Sequence, residues 1–120
     1  MDPGYAAEWA RAFALTLSLE LPVAAWMLRH GPSPGRRLSL AVLASSLTHP
    51  LLWFAWHPHV HPWGLAVVTG EALVVAAEAL VYRTATDART AWRTSLAANA
   101  VSLGVGWPLR AALQTAGLWG

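Results

Sequence analysis

Between Ala12 and Leu118 the sequence alternates long apolar runs with short breaks, and each run has the length of a bilayer crossing. Such a crossing takes about 20 helical residues, with a range of roughly 17–25. The runs cover about 12–28, 38–56, 64–82 and 94–116. The first break, Arg29 to Arg37 (RHGPSPGRR), is rich in Pro and Gly. In the second, His57 to Trp63 (HPHVHPW), Pro58 and Pro62 remove backbone donors and restrict their neighbours, so no helix continues through it. The third, Arg83 to Arg93 (RTATDARTAWR), is polar and charged. The fold expected is all-α: a polytopic membrane protein built as a four-transmembrane-helix bundle. A chain of 120 residues has room for one domain, here taken as 1–120.

Composition points the same way. Hydrophobic residues make up 56% of the chain and charged residues 12%, whereas a soluble domain carries about 25% charged. That is too little charge to coat a globule in water. The eight basic residues are all arginine and are not clustered into one surface, so a nucleic-acid partner is excluded. Without cysteine there is no disulfide, thiolate metal site or cysteine nucleophile.

Arginine placement orients the bundle. Arg29, Arg36 and Arg37 lie in the first break and Arg83, Arg89 and Arg93 in the third, while the middle break has none. Excess Lys and Arg marks cytoplasmic loops, so both termini and the histidine loop are expected outside. Trp9, Trp53, Trp56, Trp63 and Trp107 then fall near the outer boundary, and Trp26 and Trp92 near the inner one, as amphipathic indoles prefer. The leader MDPGYAAEWA is acidic and Glu20 interrupts the first apolar run, so that run reads as a permanent helix rather than a cleaved signal.

Ionisable residues at membrane depth are costly and are functional-site candidates by default. This chain has Glu20, His49, Glu71 and Glu78, with Asn99 and Ser102 beside them. Glu71 and Glu78 are seven apart and share one helix face. Ser95, Asn99, Ser102 and Gly106 form a small polar stripe, Ser45, Ser46, His49 and Trp53 another, and Thr16, Glu20 and Ala24 a third. By depth, Glu20, His49 and Glu71 group in an outer cluster and Glu78 with Asn99 in an inner one. Pro22 and Pro50 free the carbonyls four residues earlier, Ser18 and Ser46, so each helix is expected to bend beside its ionisable residue. The catalytic role of any residue stays open. No cofactor motif is evident; His57, His59 and His61 alternate along the second break and could share a metal ion.

Glu20-Leu21-Pro22, Thr48-His49-Pro50-Leu51-Leu52-Trp53, the pair Glu71 and Glu78, and Ser95 to Asn99 followed by Ser102 give the chain its pattern. In it the chain resembles small four-span bacterial membrane proteins, over about 90 of its residues. The resemblance implies a multi-pass protein of the cell membrane, in a bacterial inner membrane, and brings no substrate. The motifs of small multidrug transporters and of small fluoride channels are missing. Three functions remain: an oligomeric transporter or channel that moves a cation or proton through the Glu/His/Asn site, an accessory or assembly subunit of a larger membrane complex, and a membrane enzyme acting on a lipid. The partners implied are the lipid bilayer and either a second copy or a membrane-complex partner.

Overall fold

The computed structural model describes residues 2–119. They form four long helices, α1 (Pro3–Met27), α2 (Pro34–Leu51), α3 (Trp63–Arg83) and α4 (Ala88–Thr115), and no strand. A five-residue π turn, Leu52–Trp56, extends α2.

Local chemistry sets the helix ends. Asp2 accepts a hydrogen bond from the Gly4 N–H (2.9 Å), and Pro3 follows it with a pre-set φ. Ser33 and Pro34 repeat the device at the start of α2. Asp87 caps α4 through the Thr90 N–H (2.8 Å), which holds the Asp87 carboxyl below its ordinary value. These caps start α1 at Pro3 rather than at Ala12 and α4 at Ala88 rather than at Thr94. The third break accordingly shrinks to Thr84–Asp87. α4 ends at Thr115, and Gly117 just beyond it turns the chain with a φ of 74° that only glycine adopts cheaply. There the Leu118 N–H reaches the Leu113 carbonyl and the Gly117 N–H the Gln114 carbonyl, a turn that folds the tail back.

The two internal prolines of α1 and α2 act differently. Pro22 lies within α1 without interrupting it. Pro50 directly precedes the π turn, which closes through the His57 N–H on the Leu52 carbonyl (2.9 Å). The irregularity foreseen at the prolines is thus concentrated after Pro50.

The helices form a ring in chain order: each packs against its sequence neighbours, and α4 returns to α1. The interior and exterior of this ring are inverted relative to a water-soluble bundle. Leu38, Val42, Leu43, Leu47 and Leu51 of α2 face outward, as do Leu65, Val68, Leu73 and Leu80 of α3 and Leu96, Val105 and Leu109 of α4. Many buried positions are small or polar: Ala24, Ala41, Ala44, Ala66 and Ala98, with Glu20, Ser45, Thr48, Glu78, Thr94, Ser95 and Asn99. At one end of the ring Ala24, Leu28, Leu40, Ala41, Ala44, Tyr82 and Ala91 form a dense apolar plug. Gly70 permits the closest approach elsewhere, since a Cβ there would stand 2.5 Å from Leu52 Cδ1 and 3.0 Å from Trp56 Cδ1.

Two helices, Pro34–Trp56 and Trp63–Arg83, are long and apolar enough to cross a membrane. α1 and α4 fall short of that measure. Glu8, Arg11 and Glu20 dilute the first, and the arginines, Asn99 and the small polar stripe dilute the second. The all-α, four-helix expectation therefore holds, with two of the four helices qualifying as spans.

Candidate functional site

All four helices contribute to one cavity of about 430 Å³. It holds each of the six buried polar residues singled out in the sequence: Glu20, His49, Glu71, Glu78, Asn99 and Ser102. α1 adds Tyr5 and Thr16, α2 adds Ser45 and Thr48, the π turn adds Trp53, α3 adds Trp63 and Val67, and α4 adds Trp107 and Arg110. Trp63 and Trp107, each about half exposed, stack with centroids 4.9 Å apart at the end where the cavity reaches the surface. The opposite end stops at the apolar plug.

The deepest group is a built network. Glu78, 2% exposed, accepts hydrogen bonds from the Thr48 hydroxyl (2.8 Å) and the Asn99 amide (2.7 Å). Asn99 also donates to the Ser95 carbonyl (2.9 Å), and Ser95 donates to the Val75 carbonyl of α3 (2.7 Å). The pairing of Glu78 with Asn99 follows the depth grouping read from the sequence. Thr48 is not among the site residues expected from the sequence, although its position three after Ser45 and four after Ala44 puts it on the inward stripe of α2. Ser46, assigned to that stripe, is exposed.

The outer grouping differs from expectation. Glu20 is 2% exposed and has no hydrogen-bond partner among the described residues. It lines the same cavity as Glu71 and Glu78, so no separation into an outer and an inner acid isolates it from Glu78. Glu71 is partly buried, faces the cavity and likewise has no side-chain partner among the described residues. His49 does not pair with either carboxylate. Its Nε2 lies 3.4 Å from the Thr16 hydroxyl, its Nδ1 is buried without a partner, and its ring packs between Phe13 and Trp53 (centroids 5.2 and 6.1 Å). Aromatic surroundings on α1 and on the π turn, dispersed in sequence, draw the imidazole sideways from the acids.

The mouth carries a clasp that the sequence did not announce. Glu8 accepts both oxygens' worth of hydrogen bonding from the Trp119 indole N–H (2.8 and 2.9 Å) and pairs with Arg110 and Arg11. Burial raises the Glu8 carboxyl, but the Trp119 N–H and the Arg110 charge outweigh it and hold the group below its ordinary value.

His57 is partly buried at the mouth, with its ring 6.5 Å from that of Trp53, and burial lowers its imidazole from the ordinary value. His59 and His61 are exposed. Among the described residues no three His, Asp or Glu side chains gather as a metal-ligand set. The shared ion envisaged for His57, His59 and His61 therefore has no assembled site.

Chemically, the cavity offers two unpartnered carboxyls, one carboxyl locked in a hydrogen-bond network, and aromatic walls toward the mouth. No protein family, curated protein or solved structure matches this chain.

Proposed function

We propose that the chain is a four-crossing protein of the cell membrane that takes a cation or proton from the side of its termini into the Glu20, Glu71 and Glu78 cavity, as one step of transport. The observation carrying this reading is the inversion of the bundle. Large aliphatic side chains cover the outside while three carboxyls and Asn99 stand inside. Lipid is the solvent that favours such an exterior, and polar side chains in a lipid-embedded bundle turn inward. The less apolar α1 and α4 are accommodated because their polar stripes face the cavity.

The arginine-bearing stretches Arg29 to Arg37 and Arg83 to Arg93, two short turns with the helix ends beside them, lie at the plugged end, and the cytoplasmic preference of arginine favours a cavity mouth on the outside. The plug closes one copy at its inner end. Passage therefore needs either a rearrangement of the ring or a pathway completed by a second copy, which makes a transporter a better fit than an open channel. The acids supply the binding charge and Asn99 fixes Glu78.

Purified protein reconstituted in proteoliposomes tests the reading. Glu71→Gln should abolish proton- or cation-coupled flux while the variant still inserts and elutes like the parent. Flux unchanged in that variant overturns it.

A further inference from the structure

The three carboxyls are not equivalent, and the difference points to a ligand. Glu78 already has a hydroxyl and an amide on its two oxygens. Glu20 is almost wholly buried, lines the same cavity, and has no protein donor among the described residues. Glu71 faces the same space, also without one. An acceptor as buried as Glu20 is ordinarily satisfied, and Glu71 is half-buried and open to the same cavity, so the two together suit an occupant that donates hydrogen bonds.

A small inorganic cation matches poorly. Such ions need several oxygen ligands drawn to about 2.0–2.6 Å, and among the described residues no three acidic or histidine side chains converge in this way. Glu71 and Glu78 are two helical turns apart, roughly 10 Å along the axis. The volume of about 430 Å³ is the size of an organic-ligand pocket.

The walls complete the picture. Above the acids the lining is aromatic: Tyr5, Trp53, Trp63 and Trp107. Ring faces attract organic ammonium groups and cover apolar carbon. The other charged or titratable lining groups do not oppose this. Arg110 is answered by Glu8, and His49 and His57 pack against Trp53.

Resting on the cation reading above, we infer that the cavity binds a primary organic ammonium ion. Its N–H groups are shared by Glu20 and Glu71, and its carbon body lies along Trp53, Trp63 and Trp107. The ammonium supplies the donors that both carboxyls lack, and the carbon body fills a volume no bare ion would.

Intrinsic tryptophan fluorescence of the full chain in detergent gives the test, with butylammonium, tetramethylammonium, sodium and calcium as separate titrants. Butylammonium should produce a saturable change, with tetramethylammonium, which has no N–H, at least tenfold weaker. Glu71→Gln should weaken butylammonium by at least tenfold, and Trp107→Leu, at the exposed rim where folding is least at stake, by several-fold. Trp26→Phe, remote from the cavity, should leave it unchanged. Equal binding of the two ammonium ions, or butylammonium binding unaffected by both cavity variants, overturns the inference. Saturation by sodium or calcium in place of butylammonium also overturns it while leaving the cation reading intact. No response to any titrant overturns it too, and proton flux in proteoliposomes then decides separately whether the broader reading survives.

Discussion

The two ends of the ring are built from different side chains and behave as different materials. At the plugged end, alanines at 24, 41, 44 and 91 let the helices approach closely around Leu28 and Tyr82. At the mouth, Tyr5, Trp53, Trp63 and Trp107 stand between the helices and the volume inside stays open. Small side chains thus pack the closed end of the ring, and aromatic ones line the open end. Side-chain size along each helix, more than backbone geometry, decides where a cavity exists.

The sharpest way to break this contrast is to exchange the sizes. Ala44 is fully buried in the plug, so Ala44→Leu should force the helices apart and cost toward the upper end of about 1–3 kcal/mol. Loss of the monodisperse peak in detergent, or a lowered thermal midpoint, measures it. The matched change Ser102→Leu adds similar bulk where the cavity has room and should leave the midpoint close to the parent's. Equal losses from the two substitutions would remove the distinction between the ends.

A smaller effect sharpens the boundary between them. Asn99→Ala removes the donor to Glu78 Oε1, and interhelical hydrogen bonds in membrane bundles are worth about 0.6–1.7 kcal/mol. A double-mutant cycle of Asn99→Ala with Glu78→Ala should return a coupling of that size. Additive losses would show that the two side chains touch without stabilising one another.

The smallest effect is at the rim. The Glu8 carboxyl sits below its ordinary value of 4.5 in the folded chain. A carboxyl lowered by folding adds stability above its unfolded value, and that contribution disappears as pH falls through the folded one. Parent stability should accordingly drop below about pH 4.5, whereas Glu8→Gln should lack that component of the drop. The difference at neutral pH should be about 0.2–1 kcal/mol, the usual range for a partly exposed ion pair. Thermal midpoints of both proteins across pH 3 to 7 measure it.

Much of this arrangement is legible in the residues alone. Helix number, order and breaks follow from apolar runs punctuated by proline, glycine and charge, and the seven-residue spacing of Glu71 and Glu78 puts both on the cavity face. Helix ends are less legible, because Asp2 and Asp87 recruit polar turns that no apolar pattern includes. The partners of individual polar groups are the least legible. Depth along a helix axis groups Glu20 with His49, but helix rotation and the packing of Phe13 and Trp53 decide that the imidazole turns elsewhere. Thr48 and Trp119 matter through contacts 30 and 111 residues away in the chain, which no local spacing encodes.

The π turn at Leu52–Trp56 holds one more residue than an ordinary helical turn would. Deleting a residue from any of the four regular helices would rotate everything beyond it by about 100° and scramble which side faces inward. Within 52–56 the same deletion would convert the wide turn into standard helix without altering the phase of α2 before it. This short stretch beside Pro50 is a point inside the α2 rod where a residue can be lost without turning the inward face of α2 away.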